Sequence, residues 1–179
     1  ENYTVNQPSC AGLANGGTPE IEDNDLDAVV LYARSLAVPK RRNVTNSEVK
    51  FGAQYFKLLG CISCHKMNYT TSFGGDIAPL KNQKITPYTD LLLHDMGPGL
   101  ADNVPDHLAS GSEWRTQPLW GLGLISIVNG HTYLLHDGRA RSIEEAILWH
   151  GGEAEKSKEN YKKLPAKQRQ YLLKYLQSL

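Results

Sequence analysis

The sequence predicts an all-α chain, on three observations. Four segments carry apolar residues at helical spacing between recognisable start and stop signals. No set of alternating apolar and polar residues reads as a strand system. A long middle stretch, from Met67 to about Trp120, is so rich in Gly, Pro, Asp and Asn that only loops and single helical turns are expected of it.

Residues 1–20 are polar and rich in Gly and Asn, and they read as loop. A helix is expected from Asp23, where Leu26, Val29, Val30 and Ala33 fall at i, i+3, i+4 and i+7, and it ends before Pro39. After the linker "VPKRRNV", a second helix from Ser47 to Leu59 carries Val49, Gly52, Ala53 and Phe56 on one face. Thr45 and Glu48 are expected to form its capping box and Gly60 its end. A third helix is opened by Ser142-x-x-Glu145 and closed by Gly151-Gly152. The last starts near Pro165 and is expected to bury Tyr171, Leu172, Tyr175, Leu176 and Leu179, with Gly52 permitting close approach to the second helix.

"VVLYARSL" and "LLKYLQSL" share the pattern apolar-apolar-x-Tyr-x-x-Ser-Leu. The expected organisation is accordingly residues 1–42 as an N-terminal extension with one helix, in the manner of the tail of a preceding domain, and 43–179 as the main domain. The chain opens at Glu1 with no signal peptide and has no apolar run long enough to span a membrane. It reads as a mature or excised soluble chain.

Nineteen basic residues balance nineteen acidic ones, so there is no broad cationic field for nucleic acid. Of three cysteines, Cys61 and Cys64 lie in "CISCH" and Cys10 stands alone in a Gly/Asn-rich segment, an inert thiol or one half of a disulfide to a partner elsewhere.

C-x-x-C-H, at Cys61, Cys64 and His65, is the attachment motif of haem c. Two thiols on one turn can each add to a vinyl group, and the adjacent histidine then lies under the iron. Zinc would need further ligands, and no second C-x-x-C or H-x-x-x-H pair supplies them. A redox dithiol would be expected beside a βαβ pattern, which is absent. The expected cofactor is one covalent haem c in a cytochrome c-like domain, its long loops wrapped around the haem.

Candidates for the far side of the iron are Met67, Met96, His94, His107, His131, His136 and His150. His150 continues the stripe Ile143, Ala146, Ile147 at i+7, so it is either a ligand or a core histidine near a helix C-terminus. Met96, in the loop "LHDMGPG", is its rival, because thioether ligation is common in cytochromes c. Arg139 and Arg141 are candidate partners of the haem propionates. Trp114, Trp120 and Trp149 are core residues or walls of the haem pocket.

The stretch "EWRTQPLWGLGLISIVNGHTYLLHDGRARSIEEAILWHGGEAE" (113–155), with "PEIEDNDLDAVVLYARSLAVPKRR" upstream and "GCISCH" between, closely resembles the C-terminal part of bacterial di-haem oxidoreductases, a family also labelled thiol oxidoreductases and related to the di-haem cytochrome c peroxidases and MauG. The resemblance implies that "H-x-G" is His136-Asp137-Gly138 and that the distal ligand position falls on His150, ahead of Met96. It also implies two haems, whereas this chain has a single C-x-x-C-H, as a fragment of a di-haem protein or a single-haem relative would.

The expected function is one-electron transfer in the bacterial periplasm, as the electron-input part of a peroxidase-like di-haem oxidoreductase. The expected partner is a redox protein or a second haem domain. Two alternatives remain open at this point. One is peroxidase chemistry at an open iron with His131, or His136 and Asp137, as acid and base. The other is a haem-based redox or gas sensor.

Overall fold

The computed structural model describes residues 14, 16–75 and 77–179. Cys10 lies outside them. The described chain divides into two compact units, one up to Val38 and one from Pro39 to Leu179.

In the first unit, α1 (Asp23–Ser35) forms as its periodicity predicts, with Asp23 and Asp25 favourably placed in its first turn. None of its residues is buried: Leu26, Val29 and Val30 are 46, 56 and 42 % exposed.

The second unit is organised by the packing of α2 (Ser47–Leu58) on the last helix, α6 (Ala166–Gln177). α2 buries Val49, Gly52 and Phe56, and α6 buries Leu172, Tyr175 and Leu176. A Cβ placed on Gly52 would stand 2.0 Å from the Tyr171 carbonyl oxygen and 2.6 Å from Tyr175 Cβ, so glycine is what lets the two backbones approach. Tyr171 is half-buried and stacks on Phe51 at 5.7 Å rather than entering the core. Phe56, Leu59, Tyr88, Tyr161 and Leu179 complete the core. The cap of α2 differs from the expected Thr45 box: Asn46 Oδ1 accepts from the Glu48 and Val49 amides at 2.8 and 3.3 Å. An asparagine one residue before the helix satisfies two orphan amides that Thr45, a residue further out, leaves to it.

Arg42 ties the chain preceding α2 to the end of α6. Its amide donates to Ser178 O at 2.9 Å, and its Nη2 donates to Gln177 O at 2.8 Å and to Leu179 O at 2.5 Å. These are carbonyls that the helix end leaves without internal donors.

The all-α expectation does not hold. Tyr69–Thr70 (β1) pairs antiparallel with Lys84–Ile85 (β2), and Leu93–Asp95 (β3) pairs antiparallel with Glu113–Arg115 (β4), making two small two-stranded sheets. Strands of two or three residues are too short to show alternation, so no periodic signal in the sequence announces them. Between β4 and α6 lie α3 (Ile125–Asn129), α4 (Ile143–Trp149) and α5 (Glu155–Lys162). α4 is capped as expected, with Ser142 Oγ accepting from the Glu145 amide at 3.0 Å. The sequence reading does not include α5; its one buried residue is Tyr161, too little for an amphipathic pattern.

Candidate functional site

The site starts where α2 ends. Gly60, at φ +88°, turns the chain in a conformation open to glycine, and the single 3₁₀ turn Cys61–Ser63 follows. The amides of Cys64 and His65 both return to the Cys61 carbonyl, the latter at 3.0 Å. Cys61, Cys64 and His65 therefore share one turn. Burial pushes the Cys61 thiol up to about 11. Cys64 is raised as well, by burial first and then by the negative charges of Asp90 and Glu153. Thiols held protonated are poor nucleophiles, which argues against a redox dithiol.

His65 is fixed by a contact far along the chain. Its Nδ1 lies 2.8 Å from the Tyr88 carbonyl oxygen. A carbonyl can only accept, so Nδ1 carries the proton and Nε2 keeps its lone pair. Tyr88 is buried, its hydroxyl accepts from Tyr175 at 3.2 Å, and Phe56 packs edge-on against its ring at 6.1 Å.

His150 repeats the arrangement by a local route. It caps the C-terminus of α4, and its Nδ1 lies 2.7 Å from the Ala146 carbonyl one turn back. Nε2 is again the atom left with a lone pair. Among the described residues neither Nε2 has a hydrogen-bond partner. Burial lowers His65 to about 4 against the pull of the Tyr88 carbonyl, and the nearby charge of His150 lowers it further. Burial also lowers His150, against the Ala146 carbonyl and assisted by Lys158. Both imidazoles are thus neutral near pH 7, the form that ligates metal.

The wall beside His150 is built from glycine. A Cβ on Gly151 would stand 2.8 Å from Met96 O, and one on Gly152 would stand 2.1 Å from Asp95 O. The segment 95–97 therefore lies directly on the turn after His150, which brings Met96 to this wall as well. Ile143 and Ile147 pack against the core as their stripe predicts.

The other sequence candidates have partners of their own. Arg139 bonds Asp137 at 2.6 Å and Gly99 O at 2.5 Å, and its guanidinium lies 4.9 Å over the Trp149 ring. Arg141, 78 % exposed at its side chain, pairs with Glu145 at 3.4 Å. His136 stacks on Trp114 with ring centroids 3.5 Å apart, and Trp114 Nε1 donates to Leu100 O at 3.0 Å. His131 stacks on Tyr133 at 4.3 Å, and the His107 side chain is 97 % exposed. His94 contacts two carboxylates, Asp90 at 2.9 Å and Glu153 at 2.8 Å.

Sequence reasoning misses three participants, Tyr88, Asp90 and Glu153. Tyr88 acts through its carbonyl, for which no side-chain signal exists. Asp90 stands at i−4 from His94, a readable spacing, but Glu153 is 59 residues away.

Residues 1–179 match the family described as "Di-haem oxidoreductase, putative peroxidase", which sets the chain among haem-dependent oxidoreductases. The chain belongs to the di-haem oxidoreductase family. No curated protein and no solved structure was found to match it. The residues fit a haem on chemical grounds: two thiols and a histidine share one turn, and two neutral imidazoles stand with Nε2 unpartnered. No helix among the described residues is long and apolar enough to cross a membrane.

Proposed function

We propose that Cys61 and Cys64 would hold one covalent haem c, that His65 and His150 would both ligate its iron, and that this part of the protein passes single electrons within a peroxidase-like di-haem oxidoreductase of the bacterial periplasm. The observation that carries the reading is the matched pair of Nδ1–H bonds to backbone carbonyls, 2.8 Å from His65 to Tyr88 and 2.7 Å from His150 to Ala146. Metal-ligating histidines are oriented in this way through their other nitrogen. Haem, when bound, supplies an iron that cycles between ferric and ferrous.

The chain's residues would do the rest. His65 and His150 would both hold the haem iron through Nε2, and peroxide or oxygen would then find no free place on it. Neutral rings need no proton released before they ligate. Arg139, over the Trp149 ring next to His150 in the chain, and Arg141 would be the propionate partners, each exchanging part of its present pairing with Asp137 or Glu145. Of the candidate acid and base groups, Asp137 pairs with Arg139 at 2.6 Å and lies 3.9 Å from His136, which stacks on Trp114, while His131 stacks on Tyr133. The electron partner is a redox protein or a second haem domain, in keeping with a di-haem family and a single C-x-x-C-H here.

The test is the optical and electron paramagnetic resonance spectrum of the ferric protein, repeated for His150→Ala. A low-spin wild type without a sulfur-to-iron band, turning high-spin in the variant, is expected. A sulfur-to-iron band would move ligation to Met96, and a high-spin wild type would favour peroxidase chemistry.

A further inference from the structure

One polar cluster has no part in the proposed electron transfer, and it is built around His94. Both ring nitrogens face carboxylates: Nε2 is 2.9 Å from Asp90 Oδ2 and Nδ1 is 2.8 Å from Glu153 Oε2. A neutral imidazole has one N–H and one lone pair, so one of these contacts would oppose lone pair to lone pair. Two carboxylate partners call for the cation. Each carboxylate is pinned in turn, Asp90 Oδ1 by the Leu92 amide at 3.0 Å and Glu153 Oε1 by the Asp95 amide at 3.1 Å. The side chains of His94 and Asp90 are only 16 and 7 % exposed, so this pair is shielded from solvent, while Glu153 is 56 % exposed.

The cluster sits on the seam that positions His150. Glu153 lies in the short turn Gly152–Ala154, three residues past that histidine. His94 lies in β3, whose last residue, Asp95, runs against Gly152, as the following Met96 does against Gly151. Cys64, Asp90 and His94 also bring their ligand atoms within 4.8 Å of one another, so the cluster borders the attachment turn as well. His150 needs such support. It caps a helix of only seven residues: Ala146 orients the ring and Ile147 O takes the His150 amide at 3.2 Å, while the chain after it passes directly into the turn Gly152–Ala154.

We propose that His94 is a positioning residue, an imidazolium bridge from Asp90 to Glu153 that fixes the turn after His150 and so keeps the His150 Nε2 in place as the distal ligand. The assignment rests on the His65/His150 reading. Charge-assisted hydrogen bonds are roughly twice as strong as neutral ones, which suits a single side chain spanning two loops. Loss of such outer-shell partners typically weakens metal ligation about 10- to 100-fold.

The experiment compares ferric holoprotein of the wild type, His94→Leu, Glu153→Ala and the double variant, titrated with imidazole and followed by optical and electron paramagnetic resonance spectra. Glu153 is exposed enough that its loss leaves the core intact. Both single variants are expected to yield His150 to external imidazole at about tenfold lower concentration or less, with a high-spin fraction before imidazole is added. The double variant is expected to match His94→Leu, because both changes break one bridge. Variants that remain low-spin and need the wild-type concentration of imidazole overturn the assignment, even if their thermal midpoint falls. A wild type already high-spin overturns the ligand pair, and the assignment with it. A low-spin wild type that turns high-spin in His150→Ala keeps the two results separate.

Discussion

His65 leans on a carbonyl that is itself held in an unfavourable backbone conformation: its Nδ1 is 2.8 Å from Tyr88 O, and Tyr88 has φ +58°. For a bulky residue the left-handed region costs about 1–3 kcal/mol and persists only where the surroundings impose it. Here they are the burial of the ring, its contact with Phe56, and the Tyr175 hydroxyl at 3.2 Å. The packing of α6 thus reaches the orientation of His65 through Tyr88.

Tyr175→Phe leaves the Tyr88 hydroxyl buried without a partner, and Tyr88→Phe does the same to Tyr175. Each is expected to cost about 1–3 kcal/mol, while the double variant, with neither hydroxyl left orphaned, costs less than the sum. Urea unfolding of the four proteins measures this. Strict additivity would show that the two hydroxyls do not interact.

Gly52→Ala should be strongly destabilising although alanine is the better helix former by about 1 kcal/mol. The added Cβ meets the Tyr171 carbonyl at 2.0 Å and Tyr175 Cβ at 2.6 Å, and α6 has to move away along its length. A net loss of about 2 kcal/mol or more is expected in urea unfolding. A midpoint at the wild-type value would mean that the helices do not cross here.

The His94 bridge gives a pH dependence of definite sign. His94 is raised above its ordinary 6.5, chiefly by the bond to Glu153 and, against burial, by Asp90. Its contribution is therefore complete below 6.5 and is lost as pH rises through the folded value. Burial opposes ionisation of Asp90, but the Leu92 amide and His94 outweigh it and hold the group below 3.8. Glu153 is held below 4.5, first by His94 and then by the Asp95 amide. The carboxylate contributions are complete above those values and are lost as pH falls through the folded ones. The stability difference between wild type and His94→Gln should thus be greatest between 4.5 and 6.5 and shrink on both sides. A difference that stays flat across this window and well beyond both of its ends would count against the bridge.

The sequence by itself determined what lies within one helical turn. Cys61, Cys64 and His65 had to share a turn after Gly60, and Val49, Ala53 and Phe56 had to fall on one face of α2, because i, i+3 and i+4 geometry leaves little choice. The same spacing put His150 at the end of an apolar stripe, and its ring bond to Ala146 is local too. Terminus signals were less binding: Ser142 caps α4 as it reads, whereas Asn46 takes the place of Thr45 at α2. Only the tertiary structure decided the rest. The Tyr88 carbonyl comes to His65 from 23 residues away, and Glu153 comes to His94 from 59. β3 meets β4 through a register that strands of three residues cannot announce. Such contacts depend on how long, Gly- and Pro-rich loops close, and on strained residues such as Tyr88, whose cost is met by burial elsewhere rather than by anything in the local sequence.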